Sequence, residues 1–159
     1  KYGFSDIHKL EIPTTEIQDQ NISDLISGIS NAYKKVEPDI VYMPFTYDVH
    51  TDHQITAKAL QSTFKWFRYS HIKKVYMYET ISETEFNFTE TRRFRANVFV
   101  NISKYINDKI RIMQIYDSEM GEHPFPRSEK NIRALATLRG SQSGFECAEA
   151  FELVYERKE

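Results

Sequence analysis

The feature that most constrains the fold is a change of hydrophobic period between residues 21 and 45. In NISDLISGISNAYKKV, the apolar residues Ile22, Leu25, Ile26, Ile29, Ala32, Tyr33 and Val36 recur at spacings of three and four. That spacing places them on one face of an amphipathic helix. Asn21 stands at the N-cap position, and Pro38 lies just beyond the end. DIVYMPF then runs apolar without a break for the length of one strand. A helix with one stripe to bury, followed by a strand apolar on both faces, suits a parallel sheet covered by helices.

The rest of the chain alternates in the same way. A second helix is expected to carry Ile55, Ala59, Leu60, Phe64 and Phe67 on one side. KKVYMYE and ANVFVNI read as further strands, and HKLEI as a short one that closes on Pro13. SKYINDKIRIMQIYDSE reads as a helix capped by Ser103. RSEKNIRALATLRG reads as another, capped by Ser128 and stopped by Gly140. AEAFELVY has the pattern of a last strand. The expectation is one α/β domain over residues 1–159, layered, with a mainly parallel sheet.

Composition narrows the function classes. Of the 159 residues, 40% are hydrophobic and 28% charged, which suits a folded chain with a substantial core. A net charge of -2 argues against general affinity for nucleic acid. One cysteine, Cys147, excludes an internal disulfide framework and fits a reducing, cytoplasmic compartment. No apolar run approaches the ~20 residues of a membrane span. The N-x-S/T matches at Asn21, Asn87 and Asn101 are short enough to arise by chance, and none is read as glycosylated.

The chemistry concentrates in YDVHTDHQITAKAL, where Asp48, His50, Asp52 and His53 fall within six residues in a chain of five histidines. Thr51 with Gln54 three residues later makes a capping-box pattern. His53 then falls in the first helical turn and His50 just outside it, beyond the carboxyl end of the DIVYMPF strand. In open α/β sheets ligands bind there. Imidazole and carboxylate are also the ligand types of catalytic zinc, and three of them leave a position for water. His-x-x-His alone is a weak signal, and two histidines near a helix start are more often polar loop residues than ligands.

These residues carry a resemblance. PDIVYMPFTYDVHTDHQITAKAL is similar to the second signature of the LmbE-like, or PIG-L, deacetylases, in which Pro-Asp opens a strand that ends in His-x-Asp-His. The similarity continues through YMYET, FRANVFVNISKYINDKIRIMQIYDSE, PRSEKNIRALATLRG and AEAF, so it covers nearly the whole chain. The resemblance implies a Rossmann-like fold and a zinc-dependent hydrolase that removes acetyl groups from N-acetylated sugars or related amides. It places His53 at a zinc ligand. It places His50 at the residue that stabilises the oxyanion and protonates the leaving amine, and Asp52 at the acid that orients His50. Asp48 receives no role from it.

The chain also departs from the family. The first signature, His-Pro-Asp-Asp, would supply the other zinc ligands and the general base, and it occurs nowhere in this sequence. The chain opens at Lys1 on what reads as mid-domain sequence. The expectation is a C-terminal portion that lacks the N-terminal strand and helix of the sheet and is inactive alone, its remaining ligands lying upstream of Lys1. Ala96 and Asn101 stand where relatives often show Pro and Asp. The alternative is a non-catalytic carbohydrate-binding relative without the metal.

Other residues have plainer readings. KWFRYSHIKK mixes aromatic and basic residues as single-stranded nucleic-acid binders do. Phe64 and Phe67 are nevertheless expected to continue the core stripe, with the cations at a helix end. Arg92, Arg93 and Arg95 could meet a sugar hydroxyl or phosphate, or simply be solvated. His8, His71 and His123 lack a carboxylate pattern, Glu149 and Cys147 are expected to pack, and self-association is open.

Overall fold

The computed structural model describes residues 3–13 and 16–158. The element order is a short 3-10 turn Ile17–Asp19, then α1 Ile22–Val36, β1 Ile40–Pro44, α2 Thr51–Thr63, β2 Lys74–Tyr78, β3 Val98–Asn101, α3 Ile106–Met113, a 3-10 turn Asp117–Glu119, α4 Glu129–Ser143 and β4 Ala148–Glu156. The chain resolves into two compact units, residues 6–95 with 152–159, and residues 96–151 with 1–5. β4 runs through both.

In the first unit α1 forms where its period requires. The Asn21 side chain accepts from the Ser23 N–H, and Glu37 ends the helix in the left-handed region. Leu25, Ile29 and Tyr33 are its buried face. β1 and β2 pair in parallel with Val41 opposite Val75 and Met43 opposite Met77, and these four side chains are buried. Both helices contribute to that core: Leu25, Ile29 and Tyr33 from α1 and Ala57 and Ala59 from α2 join the strand residues in one cluster. Cutting a buried leucine such as Leu25 to alanine typically costs about 2–5 kcal/mol.

In the second unit α4 starts at Ser128, whose hydroxyl accepts from the Asn131 N–H at 3.3 Å. Ile132, Ala136 and Gly140 are its buried face. Ile102, Ile106, Ala136 and Cys147 pack as a small cluster. β3 pairs antiparallel with β4, Val98 opposite Phe151.

The α/β fold class stands as read, and one feature of it is corrected. The four strands form one sheet in the order β1-β2-β4-β3. The C-terminal end of β4 meets the N-terminal end of β2, where Arg157 N–H donates to Lys73 O and Lys74 pairs with Glu156. β4 therefore runs against β2 as well as β3, and the sheet is mostly antiparallel rather than mainly parallel. The expected helix covers on both faces also fail for β1, where Ile40 and Tyr42 are 45% and 51% exposed.

Local expectations are corrected as well. HKLEI is not a strand: Glu11 takes a positive φ of 53°, which breaks the extended run. Leu10 instead fills the notch at Gly28, where an added Cβ would come within 2.7 Å of its Cδ2. α2 is capped by His50, not Thr51, and ends at Thr63, so Phe67 leaves the core stripe and is 65% exposed. α3 begins after Tyr105 rather than at Ser103, whose hydroxyl donates to Asn101 Oδ1 at 2.7 Å. α4 continues past Gly140 to a left-handed Gly144. Gly140 is required for close approach, since a Cβ there would lie 2.6 Å from the carbonyl oxygens of Phe145 and Glu146.

Candidate active site

The site lies in the first unit, beyond the carboxyl end of β1. The chain turns through residues 45–50 and enters α2 at Thr51. Asp48 sits in that turn with its side chain fully buried. A buried carboxylate needs partners, and Asp48 has them. His53 Nδ1 lies 2.8 Å from Oδ2, and the Thr84 hydroxyl donates to Oδ1 at 2.6 Å. The Gln54 amide donates to the Asp48 carbonyl at 2.7 Å, which ties the turn to the helix.

Thr84 reaches Asp48 from the segment after β2. Its own N–H donates to Thr80 O, while its hydroxyl accepts from the Thr80 N–H at 2.8 Å. One hydroxyl has one donor and two acceptor sites, so with its acceptor side engaged its proton is directed at Asp48. The Val49 N–H donates to Glu83 O, and Phe94 packs edge-on against Phe45. Arg92 lies over the Tyr47 ring at 4.9 Å. The segment 80–94 is thus fastened to the site turn at several points.

The two histidines have opposite tautomers. Asp48 is acceptor-only when ionised, so the His53 proton sits on Nδ1 and Nε2 carries the lone pair. His50 is reversed: its Nδ1 accepts from the Asp52 backbone N–H at 3.1 Å, so its proton sits on Nε2. The rings are stacked, 5.1 Å between centroids and 23° between planes. The Asp48 hydrogen bond raises the His53 pKa above its ordinary value, against burial, with Glu83 and Asp52 adding to the rise.

The residues singled out by sequence are therefore brought together in part. His50, Asp52 and His53 are neighbours at the start of α2, and the contact seen from Asp52 to His50 is through its backbone amide. Asp48, singled out with the cluster but left without a role, is the partner of His53, and Thr84 is the partner that sequence reasoning missed. A carboxylate five residues before His53 was a visible signal; nothing in the sequence pointed to Thr84. Of the arginines, Arg92 stands over Tyr47, and Arg93 and Arg95 are exposed. His8 does have a carboxylate partner, Asp6 at 3.3 Å, and Glu149 pairs with Lys109 at 2.6 Å. Cys147 is buried as expected.

Among the described residues no group of three His, Cys, Asp or Glu side chains is placed to hold a metal ion. Among the described residues, the His53 ring with a carboxylate behind Nδ1 has the arrangement usual for a metal-bound imidazole. Among the described residues no helix is long and apolar enough to cross a membrane.

No family model matches the chain, and no curated protein is significantly similar to it in sequence. Solved structures are similar. The 4-carboxy-2-hydroxymuconate hydratase GalB from Pseudomonas putida superposes with a TM-score of 0.63 at 16% identity, over 88% of this chain and 62% of that one. The conserved protein TT1542 from Thermus thermophilus gives 0.62 at 16% identity, over 86% and 60%. The N,N'-diacetylchitobiose deacetylase from Pyrococcus horikoshii gives 0.58 at 16% identity, over 83% and 51%. The chain spans between half and two thirds of the lengths of these proteins. At this identity the likeness is one of architecture, the α/β fold that these proteins share.

Proposed function

We propose that this chain carries part of the site of a cytoplasmic amide hydrolase of the deacetylase type, acting on an N-acetylated sugar or sugar conjugate. The observation that supports the reading most is the pair of histidine contacts, His53 Nδ1 against the Asp48 carboxylate and His50 Nδ1 accepting from the Asp52 N–H, which set opposed tautomers. Metal-assisted amide hydrolysis uses an electron-pair donor to hold the Lewis acid and an N–H donor for the carbonyl oxygen. His53 Nε2 supplies the first and His50 Nε2–H the second. The architecture shared with a diacetylchitobiose deacetylase agrees with this chemistry.

The roles follow from the hydrogen bonds. Asp48 holds the His53 ring and its proton in place, and Thr84 holds Asp48. His50 donates to the carbonyl oxygen as charge develops there; loss of one such donor typically costs about 100- to 1000-fold in rate. The bond from the Asp52 N–H persists only while His50 Nδ1 is unprotonated. The geometry thus supports the oxygen-stabilising role directly, and protonation of the leaving amine by His50 only after that bond is broken. Asp52 adds negative charge near the His53 ring. Zinc with His53 as one ligand would supply a water of pKa about 7, and its other ligands would come from outside the described residues.

The test is acetate release from N-acetylglucosamine conjugates with added zinc, using the protein at its natural length. His53→Ala should lower zinc content, whereas His50→Ala should keep zinc and reduce turnover about 100- to 1000-fold. Equal zinc loss in the two variants would overturn the division of roles. Sugar binding without acetate release would instead support a non-catalytic carbohydrate-binding relative.

A further inference from the structure

The turn that follows α2 is unlike the rest of the first unit. Trp66 and Phe67 are each 65% exposed, packed edge-to-face at 5.9 Å. Burying such a pair in a core would contribute several kcal/mol, about 1.5–3 for the phenylalanine alone, yet the fold turns both outward. The turn itself is firmly seated. The Lys65 N–H donates to Thr63 O at 2.7 Å, the Arg68 and Tyr69 N–H groups donate to Lys65 O, and Tyr69 and Ile72 are buried at 8% and 4% exposure. Tyr69 packs edge-on against Tyr33 of α1 at 5.3 Å. Two anchored residues thus hold two exposed aromatic rings out on a rigid base.

The charge around this wedge is one-sided. From His53 to Tyr78 the chain has no Asp or Glu at all, although it has 23 of them in 159 residues, and it carries Lys58, Lys65, Arg68, Lys73 and Lys74. Lys73 and Lys74 are paired with Asp39 and Glu156. No described acidic side chain pairs with Lys65 or Arg68, and both are exposed. In a chain of net charge -2 this turn sets two exposed cations, Lys65 and Arg68, beside two exposed aromatic rings.

We propose that residues 64–70 form a membrane-surface contact, in which Trp66 and Phe67 enter the headgroup region of an anionic bilayer and Lys65 and Arg68 meet its phosphates. Aromatic rings favour the membrane–water interface, and basic residues beside them gain from anionic lipid. The perpendicular rings form a wedge rather than the parallel platforms on which successive bases stack, which favours a lipid surface over single-stranded nucleic acid. The contact is peripheral and involves no span.

Trp66 is the chain's single tryptophan, so its emission reports on this turn alone. The purified protein is titrated with phosphatidylcholine vesicles, with and without phosphatidylserine at about a third of the lipid. Anionic vesicles should shift the emission to the blue and co-sediment the protein, and salt should weaken both effects. Trp66→Ala with Phe67→Ala should abolish co-sedimentation. Lys65→Gln and Arg68→Gln should each weaken it about fivefold while leaving the emission shift at saturation. These side chains are exposed, and circular dichroism checks that each variant keeps its fold. The proposal is overturned by unchanged emission with the anionic vesicles, or by a double aromatic variant that sediments like wild type. It is equally overturned if the shift appears with protein concentration alone alongside a dimer mass, or if a single-stranded oligonucleotide produces it better than anionic vesicles.

Discussion

Replacing Asp48 with asparagine tests the centre of the site with almost no change of shape. The carboxylate is fully buried and takes two short bonds, from Thr84 at 2.6 Å and against His53 at 2.8 Å. Hydrogen bonds to charged groups contribute about 1.5–3 kcal/mol each, against about 1 for neutral ones. Asparagine keeps an oxygen for the Thr84 hydroxyl but presents N–H groups to His53. Two weakened bonds give a loss of about 1–3 kcal/mol, or roughly 2–4 °C in Tm per kcal/mol for a chain of this size. The larger effect is on the proton. An amide N–H facing Nδ1 makes that nitrogen the acceptor, moves the His53 proton to Nε2, and removes the lone pair a metal would use. Nitrogen NMR of the imidazole reads the tautomer directly, and metal affinity should fall about 10- to 100-fold. The pH dependence has a definite sign. Asp48 raises the His53 pKa in the folded state, so this pair's contribution is fully present below the ordinary value near 6.5 and is lost as pH rises through the raised value. The stability gap between wild type and Asp48→Asn should therefore narrow as pH rises above about 6.5. A His53 that stays protonated on Nδ1 in the variant, with unchanged metal affinity, would refute the role given to Asp48.

Asp52→Asn should keep the backbone bond to His50 and the start of α2, yet move the pH–rate profile to lower pH by withdrawing a negative charge; an unmoved profile would leave Asp52 only a structural part at the helix start. Gly140→Ala should destabilise the chain by about 1–3 kcal/mol or more, because the new Cβ meets two backbone carbonyl oxygens at 2.6 Å; an unchanged urea midpoint would mean that the approach of residues 145–146 to α4 relaxes freely. Tyr33 is held un-ionised by burial, its pKa pushed up to about 12 despite a pull from the Thr63 hydroxyl. Its folded value is raised, so its contribution is intact below about 10 and lost between there and about 12. Tyr33→Phe should flatten the fall in stability over that range, and denaturation at alkaline pH measures it.

What the sequence determined by itself is local and periodic. The stripe from Ile22 to Val36 made α1, the apolar run at 40–44 made β1, and Asn21 and Ser128 capped the helices assigned to them. Those outcomes rest on forces between residues a few positions apart, so they can be read in order along the chain. The clustering of His50, Asp52 and His53 at a strand end was legible for the same reason. What only the tertiary structure decided depends on groups distant in sequence. β4 entered between β2 and β3 in the opposite sense, because strand direction is set by where the chain returns rather than by hydrophobic pattern. Phe67 left the core because α2 stopped at Thr63, and periodicity does not reveal where a helix runs out of partners. Thr84, 36 residues from Asp48, became its hydrogen-bond donor. A buried carboxylate takes whichever donor the fold brings within reach, and Thr84 holds the Asp48 group against which His53 directs its Nδ1.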